Sequence, residues 1–132
     1  MQTSRWPNEG RIQMGTIVDP GSEPRHGDFS FRGGVFKYET ERAKRWAKAK
    51  DMYVTGIFAH GYADDTIKVE ELDLKKGTIK LTHPHLYSLG GHKGNQPKLY
   101  TWAALNLIEE IDRPGEYAVD RDSGILYFYP TK

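Results

Sequence analysis

A mainly β domain, a β-sandwich or a small open β-barrel with one short helix, is the fold this sequence predicts, on three observations. Most apolar periodicity along the chain has period two, the spacing of a half-buried strand. Turn signals punctuate the alternating segments at Asp73-Leu74-Lys75-Lys76-Gly77, Pro114-Gly115 and Asp122-Ser123-Gly124. Only Glu41 to Lys50 carries a clear helical spacing, with Ala43, Trp46 and Ala47 at i, i+3 and i+4.

In chain order, Arg11 to Val18 alternates weakly through Ile12 and Met14 and reads as a strand. Asp19 to Asp28 collects Pro20, Gly21, Ser22, Pro24 and Gly27, which is loop composition. Phe29, Phe31, Val35 and Phe36 around Gly33-Gly34 predict a short hairpin or bulged strand near the core. Thr40 then offers an N-cap to the helical stretch at 41–50. Met52 to Phe58, rich in β-branched and aromatic residues, predicts a strand. Thr66 to Val69 puts Ile67 and Val69 on one face, and after the Asp73–Gly77 turn Thr78 to Thr82 points Ile79 and Leu81 inward. Trp102 to Ile111 has mixed spacing and is open between helix and strand.

The last thirty residues carry the strongest signal. Pro114-Gly115 fits the centre of a type II turn, since proline presets the first central φ and glycine accepts the positive second one. Asp122-Ser123-Gly124 closes a hairpin between Glu116–Asp120 and Ile125–Tyr129. In its first strand Tyr117 and Val119 alternate with Glu116, Ala118 and Asp120, which predicts one apolar and one wet face. The second strand, Ile-Leu-Tyr-Phe-Tyr, is apolar on both faces and calls for cover on two sides.

Composition bounds the function. A chain of 132 residues is one domain long, spanning 1–132, and buries about two thirds of its unfolded surface. Hydrophobic residues at 37% supply a core, and 28% charged residues solvate it. Nineteen basic against eighteen acidic side chains give +1, which argues against a general nucleic-acid binder. No apolar run approaches the length of roughly 18 residues that a membrane-spanning helix needs. The absence of cysteine removes disulfides and thiolate metal sites.

Chemistry-bearing residues are scattered. Arg42, Arg45 and Lys48 share the helical stretch with Lys44, Lys50 and Trp46, and two readings stand: an anion site, or a solvated basic face whose tryptophan docks the helix on the sheet. His83 and His85 flank Pro84 and could meet His60 or His92, but nothing in the spacing completes a metal site, and none is expected. Asp64-Asp65, Glu70-Glu71 and Glu109-Glu110 are adjacent acids, whereas a glycosidase needs two carboxylates about 5 to 10 Å apart on one face. Gly90-Gly91-His92-Lys93-Gly94 lacks the spacing of a phosphate-binding loop. Tyr62, Tyr87, Tyr100 and Trp102 fall near turns or strand ends, where aromatic rings stack on the apolar faces of sugars, so they form the candidate carbohydrate platform. No catalytic set and no cofactor site emerges.

Four segments carry a resemblance. They are Arg5-Trp6-Pro7-Asn8-Glu9-Gly10, Arg45-Trp46-Ala47-Lys48-Ala49-Lys50-Asp51, Gly61-Tyr62-Ala63-Asp64-Asp65, and Asn106 to Tyr117 followed by Asp120 to Gly124 and Leu126 to Pro130. Together, and in this order, they resemble an insertion domain of secreted bacterial proteins built on a right-handed parallel β-helix, including glycoside hydrolase family 141. The resemblance implies an accessory domain that caps or flanks the coils, or the substrate cleft, of a polysaccharide-directed parent that is extracellular or periplasmic. The secretion signal and the catalytic residues then lie beyond this chain, and the partner is the β-helix of the same parent, with polysaccharide as a further one. A carbohydrate-binding module is the alternative; a free-standing hydrolase and an oligomeric structural protein follow. An insert must return where it left, so the segments near Trp6 and Pro130 should lie side by side. Ile125–Tyr129 should then pack on this domain with one face and on the coils with the other.

Overall fold

Eleven short strands organise the described residues, 2–59, 64–90 and 100–131 of the computed structural model. They are β1 (Gln2–Thr3), β2 (Arg5–Trp6), β3 (Ile12–Gln13), β4 (Ile17–Asp19), β5 (Val35–Lys37) and β6 (Tyr53–Ile57). Then come β7 (Asp64–Asp73), β8 (Thr78–Leu81), β9 (Thr101–Leu105), β10 (Glu116–Asp120) and β11 (Ile125–Phe128). With 39% of residues in strands and 9% helical, the fold is mainly β and forms a β-sandwich without a closed barrel.

The larger sheet runs β2-β9-β6-β7-β8-β5-β4, with β3 also on β9. It folds over itself at β7. The first half of that strand pairs with β6 and the second half with β8, with a register shift between Val69 and Glu71. Such an irregularity bends a strand and increases its twist, which turns one sheet into two facing layers. Val54, Ile67 and Trp102 from one layer and Phe36, Ile79 and Leu81 from the other are buried together. Phe36 meets Trp102 edge-on at 5.7 Å between ring centroids. Ile79 and Leu81 thus point inward as the alternation predicts.

Residues 12–19 make a second corner, and here the predicted single strand divides. Ile12–Gln13 pair with β9. Met14 N–H then donates to Tyr100 O at 2.9 Å, and Gly15 N–H donates to Lys37 O at 2.8 Å. Ile17–Asp19 continue on β5. The segment has no space to do otherwise: a Cβ on Gly15 would stand 2.4 Å from Lys37 O.

The helical stretch is a 3₁₀ turn, Glu41–Trp46, shorter than the predicted 41–50. Thr40 caps it as expected, its hydroxyl accepting from Arg42 N–H at 3.1 Å. Trp46 docks it, forming ring contacts with Trp6 at 5.8 Å and Trp102 at 6.3 Å. The open segment Trp102 to Ile111 resolves into β9 and a 3₁₀ turn at Ile108–Glu110, broken by Asn106 at φ 64°.

Phe29 and Phe31 correct a sequence expectation. Only Phe36 of that group enters the core, and Phe29 is 80% exposed. Asp28 accepts from both the N–H and the hydroxyl of Ser30, which closes a local turn and carries the chain outward. Gly33 packs so tightly that an added Cβ would meet Leu81 O at 1.9 Å.

The smaller sheet is β1-β10-β11, with β1 parallel and β11 antiparallel to β10. Its hairpin is the predicted one, with Gly115 at φ 90° and Gly124 at φ 71°. Its faces, however, are reversed. Glu116, Ala118 and Asp120 are buried, and Tyr117 and Val119 are half-buried on the other face. The acids tolerate burial because backbone N–H groups satisfy them: Glu116 Oε1 accepts from Asp112 and Arg113, both at 2.9 Å, and Asp120 Oδ1 accepts from Asp122 at 3.1 Å.

One side chain joins the two sheets. Asn106 Nδ2 donates to Val119 O and to Asp51 O, each at 2.9 Å, and its Oδ1 accepts from Val119 N–H at 2.8 Å. The amide thereby replaces a missing strand partner for β10. Asn106→Gly tolerates the positive φ and removes the carboxamide with its methylene, so it is expected to lower the unfolding free energy by roughly 2 kcal/mol, most of it from buried hydrogen bonds left unmade. Urea denaturation checks the magnitude, and faster hydrogen exchange at the Val119 amide checks the location.

Candidate functional site

The aromatic platform read from the sequence is not a surface. Trp102 and Tyr100 are fully buried, Trp102 on the inner side of β9 and Tyr100 with its hydroxyl donating to Gly90 O at 2.9 Å. Tyr87 is half-buried with its ring 5.9 Å from that of His85. Tyr62 lies outside the described residues.

The basic cluster does not converge either. Arg42 forks onto Glu110, with Nε donating to Oε2 at 2.9 Å and Nη2 to Oε1 at 2.7 Å. Trp46 Nε1–H donates to the same Oε2 at 2.8 Å. Glu110 is 1% exposed, so the cation the anion-site reading needed is committed to an internal carboxylate. Arg45 reaches the carbonyl of Glu109 at 3.2 Å, and Lys48 is exposed. The second reading, a docked tryptophan with its basic neighbours around it, describes the arrangement.

Histidines and acids are likewise engaged. His83 Nδ1 lies 3.0 Å from Pro84 O and its ring stacks on Phe31. His85 Nδ1 lies 2.9 Å from Asp65 Oδ2, while its buried Nε2 has no hydrogen-bond partner among the described residues. His60 and His92 lie outside the described residues, among which no group of three or more metal-binding side chains assembles. In each adjacent acid pair at least one member is already paired: Asp65 with His85, Glu70 with Lys80 at 3.0 Å, and Glu110 with Arg42.

A site the sequence did not single out lies where the two sheets join. Thr3, Tyr53, Leu105, Asn106, Tyr117, Val119 and Arg121 line a cleft of about 270 Å³. Tyr53 and Leu105 are register partners across β6 and β9, and Thr3 and Tyr117 are partners across β1 and β10. Thr3 Oγ1 donates to Tyr117 Oη at 3.0 Å, which leaves the phenol its own proton to donate. The Arg121 guanidinium lies over the Tyr53 ring, 5.8 Å from its centroid, and makes no ion pair among the described residues. The signal in the sequence is the Tyr117/Val119 alternation, which fixes a shared face but on hydrophobicity alone turns it inward.

The cleft is held from behind by Asp51. This buried residue, at φ 50°, accepts from Arg121 N–H at 2.6 Å and binds Lys68 Nζ at 2.9 Å. The Lys68 ammonium, and after it the Arg121 N–H, hold its carboxyl below the ordinary value of 3.8. A larger cleft beside Tyr38, Glu39, Glu41, Lys44, Lys75 and Lys76 mixes both signs of charge and already pairs Lys44 with Glu41.

No protein-family model matches the chain, and no curated protein or solved structure shows detectable similarity to it.

Two predictions follow from the buried charges. Glu110→Gln strands the Arg42 cation and is expected to cost roughly 3 kcal/mol, whereas the double replacement Arg42→Met with Glu110→Leu costs less than that single change; a double-mutant cycle in urea measures both. Because the Asp51 pKa is lower folded than unfolded, its contribution is complete above the unfolded value and is lost as pH falls through the folded one. Asp51→Asn should therefore lower stability at neutral pH and flatten the acid limb of the stability–pH curve below about pH 4.

Proposed function

We propose that this chain is a non-catalytic insertion or accessory domain of a polysaccharide-directed right-handed β-helix protein, and that β11 is the strand it presents to the coils. The observation that carries the reading is the exposure of the chain's last strand. Ile125, Leu126, Tyr127, Phe128 and Tyr129 are between 37% and 55% exposed, on both faces. The expectation that one face of this strand would pack on the domain itself is not met: among the described residues β11 pairs along its β10 edge alone, and the side chains of both faces are left exposed. Covering each half-exposed large side chain is worth about 1 kcal/mol, so a partner surface gains several such increments at once. Five contiguous large apolar residues on an open edge are otherwise a liability for a soluble chain.

The chain ends support the same reading. Gln2 N–H donates to Gly115 O at 2.9 Å, and Gly115 N–H donates to Tyr129 O at 2.8 Å. One residue thus bonds both terminal segments, and β1 and β11 flank the same strand. This is the side-by-side placement that an insert requires of its two connections.

The reading frame around this chain is expected to encode β-coil repeats on both sides, and sequencing it decides the matter; flanks without such repeats would sink the proposal. Within the isolated domain, Leu126→Ser combined with Phe128→Ser is expected to lower the unfolding free energy by no more than about 2 kcal/mol, because only about half of each side chain is covered, by its cross-strand neighbour. The same pair should reduce binding of a hydrophobic dye, which fluorescence reads directly.

A further inference from the structure

We infer that the cleft between Tyr53 and Tyr117 binds one acidic sugar ring, a uronate unit of an oligosaccharide, with Arg121 taking its carboxylate. The inference goes beyond the docking reading and is tested without it. Three properties of the cleft converge on this class of ligand.

The first is the wall. Tyr53 and Tyr117 approach from the two sheets and Leu105 and Val119 lie between them, all half-buried. Aromatic and apolar surface of this kind suits the CH face of a pyranose. At about 270 Å³ the cleft falls just under the roughly 300–1,000 Å³ of pockets that take a whole drug-sized ligand, so it accommodates a single ring with its neighbours outside.

The second is the charge. Among the described residues Arg121 is the one cation in the lining, and Lys68 nearby is spent on Asp51 behind it. Arg121 feels the Asp51 carboxylate only at a distance and forms no ion pair among the described residues, and its planar fork presents paired donors that match a carboxylate. The exposed guanidinium lies over Tyr53 in the lining of the cleft. The Tyr117 hydroxyl, fixed by Thr3, and the Tyr53 hydroxyl add donors for sugar oxygens.

The third is preorganisation. The residues behind the wall sit in sparsely populated backbone conformations, Asp51 at φ 50° and Asn106 at φ 64°. Both are over-determined by hydrogen bonds: the Asn106 amide makes three, and Asp51 pins the Arg121 backbone at 2.6 Å. Strain maintained in this way collects at ligand sites, and a rigid cleft spares a ligand the cost of ordering it.

The test is an NMR titration of the whole chain with trigalacturonate, triglucuronate and trimannuronate, each beside its neutral methyl ester. At least one acid form should shift the amides of Tyr53, Leu105, Tyr117 and Val119 at about 10 mM or below, and its ester should bind at least tenfold more weakly. Arg121→Gln should reproduce the loss for the acid form and leave ester binding unchanged. That side chain is exposed and its backbone bond to Asp51 is untouched, so the variant folds; Tyr117→Phe, which keeps the ring, should weaken both forms. No shift with any of the three acids, shifts that map elsewhere, or equal affinity for acid and ester would each overturn the inference. Coil repeats beside the chain, or their absence, leave this result unaffected, so the two readings fail separately.

Discussion

The two sheets of this domain are held in one piece by the carboxamide of Asn106. A side-chain amide has the same donor and acceptor as a peptide group, and here it stands in for one, giving Val119 both of the bonds a neighbouring strand would give. Its remaining N–H goes to Asp51 O. Ser4 completes the joint from the other side: its N–H donates to Tyr117 O at 2.7 Å, its carbonyl accepts from Asn106 N–H at 2.9 Å, and its hydroxyl bridges both backbone groups of Leu107. The geometry of the smaller sheet depends on this joint, because neither β1, at two residues, nor the β10–β11 hairpin would be stable alone.

A second constraint is the way buried charge is spent. Glu110 sits in the interior with a guanidinium fork and an indole N–H on its oxygens, which ties the Glu41–Trp46 turn to the segment after β9. Such a bridge contributes little net stability over an apolar contact of the same shape, since desolvating both ions offsets most of their attraction. Its effect is positional. Trp46 can meet Trp6 and Trp102 in only one orientation when its N–H must also reach Glu110. Asp51 does the equivalent for the cleft, fixing the Arg121 backbone while neutralising Lys68.

Local signals in the sequence are the ones that survive in the structure. The hairpin at the C-terminal end, the Asp73 turn with Lys75 and Lys76 N–H groups on its carboxylate, the Thr40 cap and the inward Ile79 and Leu81 all depend on residues within a few positions of one another. What the sequence does not reveal is long-range. Glu110 finds Arg42 across 68 positions and Ser4 finds Leu107 across 103, and no periodicity announces either. The same limit explains the reversed face of β10. Alternation separates Tyr117 and Val119 from Glu116, Ala118 and Asp120, but hydrophobicity alone puts the acids in water. The backbone N–H groups of the flanking turns satisfy them instead, and the small Ala118 side chain lets β10 approach the larger sheet. The aromatic platform fails for a related reason: Trp102 is on β9, and Tyr100 immediately before it, a strand whose position between β6 and the β2–β3 edge puts both side chains in the core.

The reversal of β10 connects the two functional readings. Register pairs Tyr117 with Phe128 and Val119 with Leu126, and residues directly opposite in a ladder share a face. The cleft wall and one face of β11 are therefore a single surface, running from Tyr53 and Leu105 of the larger sheet across the joint to the open edge. Had Glu116 and Asp120 faced outward, that surface would be acidic, repelling a uronate and resisting an apolar partner alike. With the acids turned in and capped by backbone, it is aromatic and apolar, with Arg121 at its border. A body docked on β11 would lie beside the cleft, so a sugar chain held at Tyr53 and Tyr117 would run along the boundary between them. The burial of two carboxylates, which costs the small sheet stability on its own, is what makes that surface available.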